Sequence, residues 1–150
     1  IIPSEARLTA SVRSFGAETR ALLEREARRI AENVAAAHGC QTEFVWERGY
    51  PSVVNDERLT RFASACIRSR FGEAKLLPIG CIMPGEDYAY FLDGRPGFFV
   101  ELGTKNADKG CDMPHHNPRY RLDEDALLFG LQYEFDMVLA LLDGTRAALG

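Results

Sequence analysis

The feature that most constrains the fold is a long amphipathic helix that lies between two segments with the composition of β-strands. Apolar residues recur at three- and four-residue steps from Ala17 to His38, and charged residues mostly occupy the opposite side. The apolar positions are Leu23, Ala27, Ile30 and Val34. This spacing is typical of a helix that buries one face, and Gly39 is well suited to end it.

The segments on either side of this helix have the patterns of strands. Residues 8–13 alternate between apolar and polar side chains, and residues 42–47 are rich in β-branched and aromatic ones. A unit of strand, helix and strand buries only one face of a small sheet and is too small to be stable alone. We therefore expect other parts of a protein to complete the sheet. The chain also begins at Ile1 without an initiator Met, as expected of a start inside a larger protein.

The pattern starts again after the turn residues Gly49-Tyr50-Pro51, which predict a domain boundary. One further helix is predicted from Asn55, a suitable N-cap, to Gly72, and another begins near Asp123 and ends at Gly144. The apolar face of the last helix comprises Leu127, Leu131, Phe135, Val138 and Leu142. The elements between the two helices are a strand at 75–79, a helical turn at 87–92, a strand at 97–102 and a loop at 103–117. Helices that alternate with strands predict the α/β class.

Composition excludes several functional classes. The chain has 150 residues, of which 46% are hydrophobic, and this is enough for an ordinary globular core. A formal charge of −4 without a basic block argues against nucleic-acid and membrane partners. No apolar run approaches the roughly 20 residues of a membrane helix. Without a basic block, a small or peptide-like partner fits better. Four scattered cysteines are typical of a reduced protein, so we expect a cytoplasmic setting.

Two histidines in the loop at 103–117 are the first candidates for chemistry. A loop of this length in a compact domain is usually either functional or disordered. Neutral imidazole is the commonest protein ligand for zinc and related metals, and Pro118 restricts the backbone just after His115 and His116. The alternative is that both histidines are ordinary loop residues.

Two carboxylates and one arginine are further candidates. Glu86 and Asp87 follow a glycine at the predicted start of a helical turn, where acidic residues are favoured by the helix dipole. They could instead orient a metal-bound histidine. Arg13 lies on the first predicted strand, where it is either a solvated edge charge or a bidentate donor to a substrate carboxylate.

Several separated segments together resemble one family of enzymes. The segments, in chain order, are Ile2-Pro3 with Ala6, Ser11-Val12-Arg13-Ser14-Phe15, Glu47-Arg48-Gly49-Tyr50-Pro51-Ser52-Val53-Val54-Asn55-Asp56, Gly85-Glu86-Asp87-Tyr88-Ala89-Tyr90, His116-Asn117-Pro118-Arg119-Tyr120 and Asp123-Glu124-Asp125-Ala126-Leu127. Their order resembles the C-terminal part of the metal-dependent amidohydrolases, the group of bacterial N-acyl-amino-acid amidohydrolases, hippurate hydrolase and plant auxin-conjugate hydrolases. The resemblance covers essentially the whole chain.

The resemblance implies a homodimeric enzyme of two domains. An α/β catalytic domain of aminopeptidase-like fold would be interrupted by a smaller ferredoxin-like lid, which also forms the dimer. Residues 1–49 would be the C-terminal half of this lid, with its last strand, helix and strand. Residues 50–150 would be the C-terminal segment of the catalytic domain.

The resemblance also implies roles for single residues. The C-terminal metal ligand of the family is the histidine of a His-x-Pro motif, which matches His116. His115 stands where the family has an apolar residue, so whether it contacts the metal is an open question. Arg13 matches the lid arginine that is expected near the substrate carboxylate.

The segment with Glu86 and Asp87 matches a Gly-x-Glu-Asp-Phe type motif that lines the family's site. Two residues depart from that motif, because Pro84 replaces a glycine and Tyr88 replaces the phenylalanine.

The chain lacks most of the catalytic machinery that the resemblance implies. The other metal ligands and the general-base glutamate would lie upstream. The complete enzyme would use a divalent metal, zinc or manganese and one ion or two, to activate the water that cleaves the amide bond of an N-acyl amino acid or a related conjugate. We expect no catalytic residue in this chain, which alone should neither bind metal tightly nor turn over substrate.

Two alternatives do not need an enzyme. One is a structural zinc site formed by Cys111, His115 or His116, and Cys81 or Glu86, although no familiar zinc spacing is present. The other is a non-catalytic association module in which residues 1–49 add strands to a partner's sheet.

Overall fold

Three α-helices form the regular part of the computed structural model, which describes residues 1–143. Helix α1 comprises Ala17–Ala37, α2 comprises Glu57–Phe71 and α3 comprises Asp125–Leu142. Short 3₁₀ turns lie at Glu73–Lys75, Asp87–Tyr90 and Ala107–Lys109. All three long helices were predicted from the sequence, whereas Gly144, predicted to end the last one, lies outside the described residues. In the described part of the chain, no helix has both the length and the apolar character to cross a membrane.

The strand predictions are not met by the structure. Within residues 1–143 there is no β-strand, and the segments at 8–13, 42–47 and 97–102 have no regular secondary structure. The predicted strand at 75–79 is likewise not formed. β-branched and aromatic residues express only a local preference, whereas a strand also requires a neighbouring strand for its backbone N–H and C=O groups. The strand-helix-strand arrangement is therefore not observed, although its helix is present.

The chain divides into two compact units. The first unit comprises residues 1–53 and 80–93, and the second comprises residues 54–79 together with the chain from Gly94 onward. The limits predicted at residues 49 and 50 concern the domains of a larger enzyme and remain a prediction.

Helix α1 of the first unit buries none of its residues fully. Two of the residues on its predicted apolar face, Ile30 and Val34, are 52% and 55% exposed. The guanidinium of Arg28 lies 4.5 Å from the centre of the Phe44 ring, a cation–π contact. The amphipathic pattern of α1 is thus present, but within the first unit its apolar face is only partly covered.

Polar side chains of α1 hold the segment that follows it. Arg20 donates hydrogen bonds to the carbonyl oxygens of Gly49 and Tyr50. Arg48 donates to Glu24, with a distance of 2.7 Å between Nη2 and Oε2. Exposed ion pairs contribute only about 0.2–1 kcal/mol each, so these contacts orient the segment more than they stabilise the fold.

Helix α2 of the second unit begins one residue later than predicted. Its N-cap is Asp56, whose Oδ1 accepts a hydrogen bond from the backbone N–H of Leu59 at 2.9 Å. Asn55 has a different role, because its side chain accepts from the N–H of Phe99 at 2.8 Å and donates to the Phe99 carbonyl at 3.1 Å. The side-chain amide of Asn55 therefore pairs with both backbone groups of Phe99, as the backbone of a neighbouring strand would. This pairing joins the start of α2 to the segment around Phe99.

Helices α2 and α3 pack against each other through a small apolar contact and an ion pair. The rings of Phe71 and Phe129 meet edge to face with centroids 5.8 Å apart, and Arg70 Nε lies 3.1 Å from an oxygen of Asp136. Burial raises the pKa of Tyr133, on the same helix, to about 12. Few residues of this unit are fully buried, so the core that the described residues form is small.

The apolar face predicted for α3 is present but exposed. All five of its residues are at least half exposed, which is unusual for large apolar side chains on one helix face. They are Leu127 at 54%, Leu131 at 65%, Phe135 at 60%, Val138 at 54% and Leu142 at 75%.

Replacing Asp56 tests the observed start of α2. Asp56→Ala removes the oxygen that satisfies a free N–H of the first helical turn, and we expect a loss of about 1 kcal/mol in the free energy of unfolding. Asp56→Ser keeps a capping oxygen and should retain most of that stability. Urea denaturation followed by circular dichroism measures both. Equal losses in the two variants would show that the cap contributes nothing.

Candidate functional site

The loop at 103–117 is locally ordered rather than structureless. Asn106 and Cys111 exchange two backbone hydrogen bonds of 2.8 Å, which form the isolated antiparallel bridge of the described residues. Between them lies the 3₁₀ turn, and Gly110 takes a left-handed conformation with φ +68°. Cys111 is 5% exposed. The first part of the loop is thus a closed turn with a buried thiol.

A carboxylate at the far end of the loop secures this turn. Asp123 accepts hydrogen bonds from Asn106 Nδ2 and from Lys109 Nζ, both at 2.7 Å. The Lys109 ammonium holds the pKa of Asp123 below its usual range, and the Asn106 amide acts in the same direction. Asp123 and Asp125 in turn raise the pKa of Lys109, because both accept from its ammonium.

The sequence pattern predicted that Asp123 or one of its neighbours caps the last helix. In the structure the N-cap of α3 is Glu124, which forms no side-chain capping bond. Asp123 Oδ1 accepts a hydrogen bond from the N–H of Asp125 at 3.3 Å, so it does contribute to the start of α3. Its other side-chain partners, Asn106 and Lys109, lie more than ten positions away, and a local pattern of residues carries no signal for them.

The two predicted histidines have different surroundings. Both are exposed. His115 Nε2 lies 3.1 Å from the hydroxyl of Tyr120, and the two rings meet edge to face. Within residues 1–143 the imidazole of His116 has no hydrogen-bond partner, so both of its ring nitrogens are available to a ligand.

The backbone of His116 is strained. It has φ +67° and is the only non-glycine residue with positive φ in the described chain. A left-handed residue with a Cβ costs about 1–2 kcal/mol, and such strain persists where the surroundings enforce it, often at functional sites. Turn hydrogen bonds from Asn117 N to Pro114 O at 3.2 Å and from Tyr120 N to Asn117 O at 2.9 Å flank the residue.

Glu86 and Asp87 lie in the first unit at the start of a 3₁₀ turn. The Glu86 carboxylate accepts a hydrogen bond from the N–H of Tyr88 at 2.9 Å, so it caps this turn. Asp87 is exposed in the first turn. Glu86 therefore has the structural role that an acidic residue at a helix start suggests, and its predicted place beside a metal is untested.

Arg13 lies beside the same segment. Its guanidinium donates a hydrogen bond of 2.5 Å to the carbonyl of Met83, shortly before Glu86 in the chain. A guanidinium has five N–H donors, so this bond leaves capacity for a further acceptor. The structure thus brings Arg13 to the segment of Glu86 and Asp87 within the first unit, whereas His115 and His116 belong to the second unit.

A divalent metal would find one fitting ligand here. The chemistry of the His116 imidazole suits zinc, whereas manganese prefers oxygen ligands. Within residues 1–143, no group of three His, Cys, Asp or Glu side chains could hold a metal ion. The alternative of a small structural zinc site with Cys111 therefore gains no support from the structure.

A cavity of about 430 Å³ lies beside the Lys109 and Asp123 pair in the second unit. None of Arg13, Glu86, Asp87, His115 and His116 lines it, whereas Cys111 of the alternative zinc site does. Its lining comprises Lys109, Cys111, Arg121, Leu122, Asp123, Glu124 and Asp125.

The model of peptidase family M20/M25/M40 matches residues 6–140. The chain belongs to this peptidase family. Among curated M20 relatives, an N-acetylcysteine deacetylase of Bacillus subtilis is 35% identical over 95% of this chain and 36% of its own length. Thermostable carboxypeptidase 1 of Saccharolobus solfataricus is 31% identical over 87% of the chain and 33% of its own length.

A solved structure supports the same assignment. It is assigned as an aminohydrolase of methicillin-resistant Staphylococcus aureus, and the alignment covers 81% of this chain and 31% of that one, with 26% identity and a TM-score of 0.64. The chain spans about a third of the length of the M20 relatives that it matches. The family predicted from the separated motifs is confirmed.

Replacing His116 by Gly and by Ala separates its backbone from its side chain. Both variants lose the imidazole, but only glycine adopts φ +67° without a Cβ penalty, so His116→Gly should be more stable than His116→Ala by about 1 kcal/mol. Urea denaturation of the metal-free protein measures the difference. The same pair at Asn117, whose φ is not positive, is the control and should show no advantage of glycine. A more stable alanine variant at 116 would contradict the left-handed backbone.

Proposed function

We propose that the protein containing this chain is a metal-dependent hydrolase that cleaves the amide bond of N-acyl amino acids or related conjugates. The observation that carries the proposal is His116, which lies in a His-x-Pro sequence of an M20 family chain. Its strained backbone presents an imidazole that no side chain of the described residues engages. Such a residue is suited to bind a ligand from outside the described chain.

His116 would hold the divalent metal as one ligand among several. The metal, zinc or manganese and one ion or two, supplies Lewis-acid chemistry and lowers the pKa of water when bound. His115 lines the site and is oriented by Tyr120. Because one imidazole is too few for a stable metal site, the 150-residue chain alone should bind metal weakly and be inactive.

Arg13 would bind the substrate carboxylate. Two relatives are named N-acetylcysteine deacetylase and N-acetyldiaminopimelate deacetylase. The substrate in each name has an amino acid on one side of its amide bond. A guanidinium binds a carboxylate in a bidentate, charge-assisted manner. The bond to Met83 orients Arg13. Glu86 caps the turn that follows, and Asp87 lies in the first turn of it.

The proposed enzyme has the two-domain architecture of an α/β catalytic domain with a ferredoxin-like lid. Residues 1–49 would belong to the lid, which forms a homodimer, and residues 50–150 to the catalytic domain. Strands at 8–13 and 42–47 would then form against neighbours outside this chain. We also propose a cytoplasmic location.

The second candidate function is association without catalysis. The exposed apolar face of α3 favours it, because such a face is suited to cover another surface.

Removing His116 tests the metal role. In the protein expressed from its complete reading frame, His116→Ala should lower the rate of metal-dependent hydrolysis of N-acetyl amino acids by more than about 100-fold. A residue that only contacts a metal ligand would cost at most about 100-fold. His115→Ala removes the neighbouring imidazole, which Tyr120 holds, and should lose less than the roughly 10- to 100-fold expected for an outer partner of the metal. Assays with zinc and with manganese, and metal analysis of each variant, measure this. Full activity in His116→Ala would contradict the proposal.

Arg13→Ala tests the substrate class. Loss of a charge-assisted bond of about 1.5–3 kcal/mol should raise KM for an N-acyl amino acid roughly 10- to 100-fold. For the matching carboxamide, which lacks the carboxylate, KM should be the same in the wild type and the variant. A rise in KM of equal size for both substrates would mean that Arg13 acts on structure and does not bind the carboxylate.

A further inference from the structure

We propose that Asp123 is the positioning residue of His116. Asp123 is the last residue of the loop at 104–123 and bonds to residues near its start, and by joining the two ends it holds the histidine in its left-handed conformation. The part of this proposal that concerns metal rests on the proposed function. The part that concerns the loop stands on the structure of the second unit alone.

Asp123 bonds to the loop through its backbone and its side chain. Its N–H donates to the carbonyl of Thr104 at 3.0 Å. Its carboxylate accepts from Asn106 at 2.7 Å and from Lys109 at 2.7 Å. With its side chain only 14% exposed, it is better shielded from solvent than the other residues of the ion-pair network. One residue thus closes the loop that carries His116.

The closure has an energetic consequence for His116. Bringing the ends of a flexible loop together costs entropy, and bonds that hold the ends reduce the number of conformations that remain. The left-handed conformation of a residue with a Cβ costs about 1–2 kcal/mol. Such a residue leaves this conformation when its surroundings allow other backbone conformations. The bonds of Asp123 remove that freedom at the base of the loop, and the turn bonds around Asn117 remove it at the tip.

A matched control lies two residues further along the chain. Asp125 accepts from the same Lys109 ammonium at 2.5 Å. Its side chain is 75% exposed, and no hydrogen bond of its carboxylate to Asn106 or Thr104 is present in the described chain. Asp123→Ala and Asp125→Ala each remove one negative charge and one bond to Lys109. Only Asp123→Ala also removes the side-chain bonds to Asn106 and to the N–H of Asp125, while both variants keep the backbone bond to Thr104. We therefore expect only Asp123→Ala to loosen the loop.

The experiment compares Asp123→Ala, Asp123→Asn and Asp125→Ala with the wild type, each expressed from the complete reading frame. Amide hydrogen exchange of the metal-free protein reports the loop, and competition with a chromophoric chelator reports the affinity for Zn²⁺. In Asp123→Ala, exchange at the hydrogen-bonded amides of Asn117, Arg119 and Tyr120 should rise at least about 10-fold. The Zn²⁺ affinity should fall about 10- to 100-fold, the range for loss of a residue that supports a metal ligand. Asp123→Asn keeps an acceptor for Asn106, so its loop exchange and its Zn²⁺ affinity should lie between those of Asp123→Ala and the wild type. Asp125→Ala should change neither the exchange nor the affinity by more than about 2-fold.

Each other result has a distinct meaning. Unchanged exchange in Asp123→Ala, or faster exchange spread evenly over the whole chain, overturns the positioning role, because the effect is then absent or merely one of global stability. A loosened loop with unchanged Zn²⁺ affinity overturns it too, provided that His116→Ala abolishes binding. If His116→Ala leaves the affinity of the wild type intact, the proposed function fails, and the exchange data alone decide whether Asp123 holds the loop.

Discussion

Every backbone N–H and C=O group that leaves water needs a hydrogen-bond partner, and in this chain side chains supply many of those partners. The segments between the helices have no strand neighbours within residues 1–143. Arg13 bonds to the carbonyl of Met83, Arg20 bonds to the carbonyls that follow α1, and Asn55 pairs with both backbone groups of Phe99. Each of these bonds joins segments that are distant in sequence. One of these bonds, that of Arg13, holds a candidate residue of the site.

The same dependence explains what could be predicted from the sequence. Helices α1, α2 and α3 follow from a period of 3.6 residues, because a helix satisfies its own backbone and needs no distant partner. A strand at 97–102 needs a neighbour that local composition does not specify. The N-cap of α2 was predicted at Asn55 and lies at Asp56, because both residue types are good caps. Only the bond of Asn55 to the distant Phe99 distinguishes the two.

The candidate residues show a similar limit. The family resemblance named His116 and Arg13 by motif, and the structure adds that His116 is strained and that Arg13 bonds to Met83, three residues before Glu86. Neither fact can be read from residue types. The strain at His116 depends on φ, and the contact of Arg13 joins residues 13 and 83. The role of Asp123 was missed for the same reason, because its partners Asn106 and Lys109 carry no pattern that relates them to the start of α3.

The exposed apolar face of α3 has a consequence for handling the 150-residue chain. Five large side chains at least half exposed on one helix form a surface that hydrophobic dyes, chromatographic resins and chaperones bind. A cell that produced only this chain would present it to the machinery that recognises incomplete folding. Yield and lifetime in such a cell would then depend on what covers α3 more than on the stability of the helices themselves.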